Sequence, residues 1–201
     1  FVAEQFAFLG RFDPLPTRSG ATQDFDFDGV SNIAELQLGF DPTDPEDVPL
    51  DSLSPTSIAI AERFARQGVL NTTGDNIFAA SLKPTSDFDG DGESNLMELA
   101  LGGDMALASA NRIPIMLDMD GDDFVITYVR LKTSLQPDGL SIFVECTGNM
   151  SEAWEHVPDV GSTELLATDQ SGIAGDLERV ALRVDTTQID CNFFRIRVED
   201  L

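Results

Sequence analysis

Asp24, Asp26 and Asp28 alternate along one short stretch, Gly29 follows them and Glu35 closes it; Asp87, Asp89, Asp91, Gly92 and Glu98 repeat the arrangement. Alternating carboxylates bring several hard oxygens to one point, and glycine allows the sharp turn between them. A glutamate at the twelfth position can then close the far side with both of its oxygens. The spacing is that of a twelve-residue calcium loop, and two copies predict two bound calcium ions. In each loop the seventh position supplies a backbone carbonyl, from Val30 and Glu93. The ninth position, Asn32 and Asn95, acts directly or through water. Without a cation, carboxylates crowded in this way repel one another.

A plainer reading covers part of the pattern. Asn32 with Glu35, and Asn95 with Glu98, have the Asn-x-x-Glu spacing of a helix capping box. That reading explains the last four residues of each stretch and leaves the aspartate triplets without a reason.

The elements that position these loops are duplicated too. Ser31 to Gly39 aligns with Ser94 to Gly102, the second copy starting at Asp87 where the first starts at Asp24, a spacing of 63. Upstream, Glu4 to Gly10 matches Glu62 to Gly68. The repeating unit reads as helix, variable loop, acidic loop and short helix. Short helices are marginal in water, so Ile33, Leu36, Leu96 and Leu99 need partners, and mutual packing of the two copies is the expected source. The proline-rich, acidic run from Phe40 to Pro49 ends the first copy. A helix is expected from Thr56 or Ser57, with Ile58, Ala61, Phe64 and Ala65 on its apolar side and Gly68 as its stop. Asn71 to Asn76 reads as a loop and Ile77 to Leu82 as a further helical turn.

After Asn111 the period changes. Ile113 to Leu117, Asp123 to Leu131, Leu140 to Cys146, Leu177 to Val184 and Phe193 to Val198 alternate or are β-branched, between Gly, Pro and Asp turns. Two shorter runs, Glu155 to Val157 and Thr163 to Ala167, read the same way. The expected architecture is therefore multidomain α plus β. A helical, duplicated calcium unit over residues 1–111 precedes a small antiparallel β-sandwich over residues 112–201.

Asp118 to Asp123 is also acidic and carries Gly121, but Val129 stands where a closing carboxylate would be needed, so it reads as a hairpin turn. Cys146 and Cys191 lack the spacing of a zinc or iron–sulfur site and suit one disulfide bond in an oxidising compartment. Trp154 suits a place in the core or at the edge of the sandwich, with stacking on a sugar ring as the alternative.

Composition narrows the functional classes. The chain has 201 residues, 36 acidic against 12 basic, and a formal net charge of -24. The acidic excess runs through both halves. Two calcium ions offset little of it, so the surface disfavours nucleic acid and anionic membranes. No stretch is long and apolar enough to insert in a membrane. The chain starts at Phe1, without a basic start followed by an apolar core, which suggests a mature product or a piece of a longer polypeptide. The only histidine is His156, with no nucleophile beside it and no phosphate-cradling glycine loop. Paired carboxylates can cleave glycosides, but the conspicuous ones here are committed to calcium geometry. Catalysis is not expected.

With these residues in view, the two loops resemble the EF-hand-like calcium loops of dockerins and thrombospondin type 3 repeats. Ser86 to Gly102 is similar to the segment that precedes the C-terminal module of large secreted or surface proteins of environmental bacteria. In those proteins a β-rich end piece follows, echoed here by Phe124 to Arg130, Leu140 to Glu145, Trp154 and Phe193 to Val198. The chain departs from dockerins in the distance between its loops and in having Ser31 and Ser94 at the eighth position, so cohesin recognition does not carry over. The resemblance implies an extracellular or cell-surface location and an accessory, non-catalytic role. Its partners would be other domains or chains of an extracellular assembly, or a polysaccharide.

Overall fold

The computed structural model describes residues 20, 22–47, 54–71, 81–108, 115–157, 162–167, 169–185, 187 and 191–200. The chain is mixed α and β, with three helices and two antiparallel sheets of seven strands in total among the described residues. It divides into two compact units, Phe1–Asn95 and Leu96–Leu201, ahead of the change in sequence period after Asn111.

In the first unit, α1 (Asn32–Leu38) follows the first acidic loop and stops where Gly39 turns left-handed, φ 88°, with its N–H on the Glu35 carbonyl. Glycine reaches that backbone state without a Cβ penalty. Helix α2 (Pro55–Arg66) starts on Ser54, whose hydroxyl accepts the Ser57 N–H, with Pro55 in the first turn where a missing N–H is harmless. Its buried stripe is Thr56, Ile60, Ala61 and Phe64. Ile58, expected on that side, is only half-buried, because Ile60 falls on the i, i+4 row of Thr56 and Phe64 and takes the inner place. The expected helix at Glu4 to Gly10 and the loop and turn from Thr72 to Ala80 lie outside the described residues.

Ile33 finds its apolar partners in Phe25, Leu36, Ala65 and Leu70. The equivalent helix α3 (Asn95–Leu101) contributes Ala100 and Leu101 to the core of the strands, with Leu96 and Met97 packed against it. A close approach fixes its end. Gly102 has φ +83°, and a Cβ there would lie 2.5 Å from Leu177 Cδ1.

The strands are β1 (Met116–Asp120), β2 (Asp123–Leu131), β3 (Leu140–Thr147), β4 (Glu155–His156), β5 (Ser162–Leu166), β6 (Leu177–Asp185) and β7 (Phe193–Asp200). One sheet runs β1-β2-β6-β5 and the other β4-β3-β7. The first strand begins later than its apolar run suggests, since its register starts with Met116 opposite Thr127. Alternation sends Ile126, Tyr128, Val180 and Leu182 of one sheet and Val144, Cys146 and Ile196 of the other into a shared core. Phe124 and Phe194 meet edge-on across it, 5.2 Å between ring centres. A disulfide joins Cys146 to Cys191 at that core. Among the described residues, no helix is long and apolar enough to cross a membrane.

Candidate metal centres

The two acidic loops have the same internal bonding. Asp24 accepts the Phe27 N–H on Oδ1 at 2.6 Å and the Gly29 N–H on Oδ2 at 3.1 Å. Asp87 accepts the Gly90 N–H at 2.7 Å and the Gly92 N–H at 2.9 Å in the same way. Asp28 then takes the Val30 N–H at 2.8 Å, as Asp91 takes the Glu93 N–H at 2.9 Å. The mouth of each loop is closed by the backbone, Asn32 N–H to Gln23 carbonyl and Asn95 N–H to Ser86 carbonyl. Tight curling of this kind needs left-handed backbone at the fourth and sixth positions. Gly90 and Gly92 supply it at φ 80° and 99°, but in the first loop Phe27 occupies the fourth position at φ 69° ahead of Gly29 at 98°.

The consequence is a cluster of oxygens. In each loop one carboxylate oxygen from each of the three aspartates, Asp24, Asp26, Asp28 or Asp87, Asp89, Asp91, lies within 4.8 Å of the other two. Glu35 is 0% exposed, and neither of its carboxylate oxygens has a hydrogen-bond partner. Both oxygens of Asp26, Oδ2 of Asp28 and Oδ2 of Asp89 are likewise buried without one. Burial pushes the Glu35 carboxyl up to about 9, and the nearby charges of Asp26, Asp28 and Asp24 add to it. Asp26 and Asp89 are also raised, burial again coming first. A carboxylate that is buried, unpaired and surrounded by its own sign is unfavourable unless a cation compensates it. The donor set, all hard oxygen and strongly anionic, fits calcium.

The remaining expected ligands are placed as follows. Val30 is buried, Glu93 half-buried, and Glu98 is buried on α3. Asn32 and Asn95 are fully buried and tie their loops to the chain ahead. The Asn32 amide accepts the Phe25 N–H and donates to the Gly20 carbonyl, while Asn95 donates to the carbonyls of Ser81 and Lys83. A capping box does not form on α1. Its N-cap is Ser31, no side chain caps it, and Asn32 is already inside the first turn.

Residues outside the calcium pattern hold the loops in place. Phe25 and Phe88 both stand at the second position. Phe25 packs against Ile33, and Phe88 meets Phe64 of α2 edge-on at 4.8 Å. Ser31 donates to Glu62 of α2 at 2.6 Å, which gives the polar eighth position a structural use. Gln37, buried on α1, donates to the Val69 carbonyl and accepts from the Asn71 N–H. The repeated phenylalanine was the available sequence signal for these anchors; nothing in the spacing marks Glu62, Gln37 or Asn71.

The third acidic stretch is a hairpin joining β1 to β2, with Gly121 at φ 68° and Asp120 opposite Asp123. Arg183 bridges those two carboxylates at 2.5 and 3.1 Å. On the other sheet, Trp154 is half-buried, with the Arg195 guanidinium 4.5 Å over its ring. Arg195 and Arg197 both bind Glu145, which is 2% exposed. Burial pushes the Glu145 carboxyl up, and the two guanidinium groups override it and hold the carboxyl below its ordinary range.

No protein-family model, curated protein or solved structure matches the chain.

Proposed function

We propose that the chain is a calcium-stabilised structural or interaction module, without catalysis of its own, belonging to a secreted or cell-surface bacterial protein. The observation that carries this reading is Glu35, fully buried, with both oxygens unpartnered and its charge directed against those of three clustered aspartates. One ion would be held by Asp24, Asp26, Asp28, the Val30 carbonyl, Asn32 and Glu35, and a second by the equivalent residues from Asp87 to Glu98. Each ion would neutralise the crowding and bind both ends of its loop, so that binding energy becomes folding energy. The two sheets with a common core suit a small sandwich that such a unit would carry. A disulfide and an abundant supply of calcium both favour an extracellular setting.

The alternative, recognition of a polysaccharide through Trp154, needs an open ring face beside a second aromatic group. Arg195 lies over that ring, which favours the structural or interaction reading.

Calorimetry of the metal-free and calcium-saturated chain tests the proposal. Saturation at a thousandfold excess over Kd should stabilise by about 4 kcal/mol. Glu35→Gln should remove the calcium response of one site. Identical melting with and without calcium, together with no heat of calcium binding, would discard the proposal.

A further inference from the structure

Among the described residues, the second unit has an open side. Strand β1 is the outermost strand of its sheet and β7 of the other, and among the described residues each pairs on one edge only. Between them runs a groove of about 360 Å³, lined by Ile115 and Leu117 on one wall and Phe193 and Ile196 on the other, with Ile126 and Val144 in its floor. Leu117, although its register partner Ile126 is in the core, is 56% exposed, and Met119 and Phe193 are exposed as well. Side chains along β1 alternate. Leu117 and Met119 stand opposite Ile126 and Phe124 on the inner face, so Met116, Asp118 and Asp120 project from the other face. Arg183 holds Asp120, and Asp118 accepts the Met119 N–H at 2.8 Å, which leaves Asp118 as the outward carboxylate without a cation among the described residues. An edge without a partner strand, apolar inward positions and that carboxylate make a template for one more strand.

We propose that this groove docks an extended segment of another polypeptide, added as a strand to the outer edge of β1, whose apolar side chains alternate with lysine or arginine. The apolar residues would fill the groove towards Phe193 and Ile196. The cationic ones would project on the opposite face beside Asp118, the direction set by charge complementarity with a chain of net charge -24. A second copy is disfavoured by the same charge, because antiparallel pairing of β1 with itself along its full length would set Asp118 against Asp118 of the other copy. The inference rests on the interaction part of the proposed function and needs nothing from the calcium loops, since every lining residue falls within 115–196.

The test uses three capped ten-residue peptides: alternating Val and Lys, the same composition in two blocks, and alternating Val and Glu. Binding is followed by calorimetry and by fluorescence of Trp154, the single tryptophan, which also lines the groove. The alternating Lys peptide should bind roughly tenfold tighter than the block peptide, and the Glu peptide should not bind. Leu117→Asn and Asp118→Lys should each weaken it several-fold. Asp138→Lys, the same charge change at an exposed position outside the groove, should not. Near-ultraviolet circular dichroism confirms that each variant is folded. Equal binding of the alternating and block peptides, indifference to Leu117→Asn, or no binding of the alternating Lys peptide overturns the proposal. Self-association that Leu117→Asn abolishes would give the groove to a second copy and overturn it equally. Peptide binding should persist in metal-free protein, so loss of calcium-dependent melting alone would discard the calcium reading and leave this one standing.

Discussion

Phe27 shows how a single position can work against its own loop. It is the one non-glycine residue with positive φ among the described residues, and it is 69% exposed, so little apolar burial is gained in exchange for a left-handed backbone. The second loop has Gly90 at the same place. Phe27→Gly should therefore stabilise the loop by about 0.5–1 kcal/mol, after the added freedom of the unfolded chain is offset, and tighten calcium binding. A lower melting temperature in the variant would show that the ring makes a contact worth more than the strain. Glu35 gives a second prediction at this scale. In metal-free protein its carboxyl titrates at about 9, far above its ordinary value of 4.5, so the folded state holds a proton that the unfolded state releases. The stability this contributes is complete below about pH 4.5 and is lost as pH rises through about 9. Melting temperatures of the metal-free chain should fall across that window. Saturating calcium, which favours the ionised carboxylate, should remove the decline; a metal-free chain whose stability rises from pH 5 to 9 would contradict this account of Glu35.

The helices matter as endings as much as lengths. Gly68 after α2 and Gly102 after α3 have the same φ, +83°, but a Cβ at Gly68 meets nothing within 4 Å while one at Gly102 would strike Leu177 at 2.5 Å. The pair separates backbone strain from packing. Gly68→Ala should cost about 1 kcal/mol, the left-handed penalty alone, and Gly102→Ala about 1–3 kcal/mol more, because the buried Leu177 must shift. Chemical denaturation of the two variants measures the difference. Equal losses would mean that Leu177 accommodates the methyl group freely. The same view explains α2 as the support of the loops, since Phe64, Ala65 and Glu62 take Phe88, Ile33 and Ser31 in turn.

Across the whole molecule, the disulfide is the longest covalent constraint. It joins positions 45 residues apart with Cα atoms 5.6 Å from each other, inside the core shared by the two sheets. Loop entropy gives it about 4 kcal/mol, an upper figure for its effect on the folded state. Replacing both cysteines with alanine should lower the stability of the strand-bearing unit by a large part of that amount, measured by calorimetry. It should leave the calcium heat of the first site unchanged, because Asp24 to Glu35 lies in the other unit, whereas Glu98 of the second site belongs to the strand-bearing unit. A variant that lost the calcium heat of the first site together with its strand stability would show that the first loop and the disulfide-linked core fold as one.

The sequence by itself determined the things that depend on local spacing. Two aspartate triplets with glycine and glutamate at fixed intervals announced their clusters, the period of two announced β2, β3, β6 and β7, and Asp120 to Asp123 announced a hairpin. Local geometry carries these because ligand alternation, pleat and turn are set within a few residues. Only the tertiary structure decided that Asn32 is spent on closing its loop and not on a cap, and that Ile60 takes the inner place expected of Ile58. The partnership of Ser31 with Glu62, and the groove between β1 and β7, also had to come from it. Each depends on groups far apart in the chain whose approach is settled by packing, and no spacing of residue types records which buried oxygen finds a donor or which edge of a sheet is left uncovered.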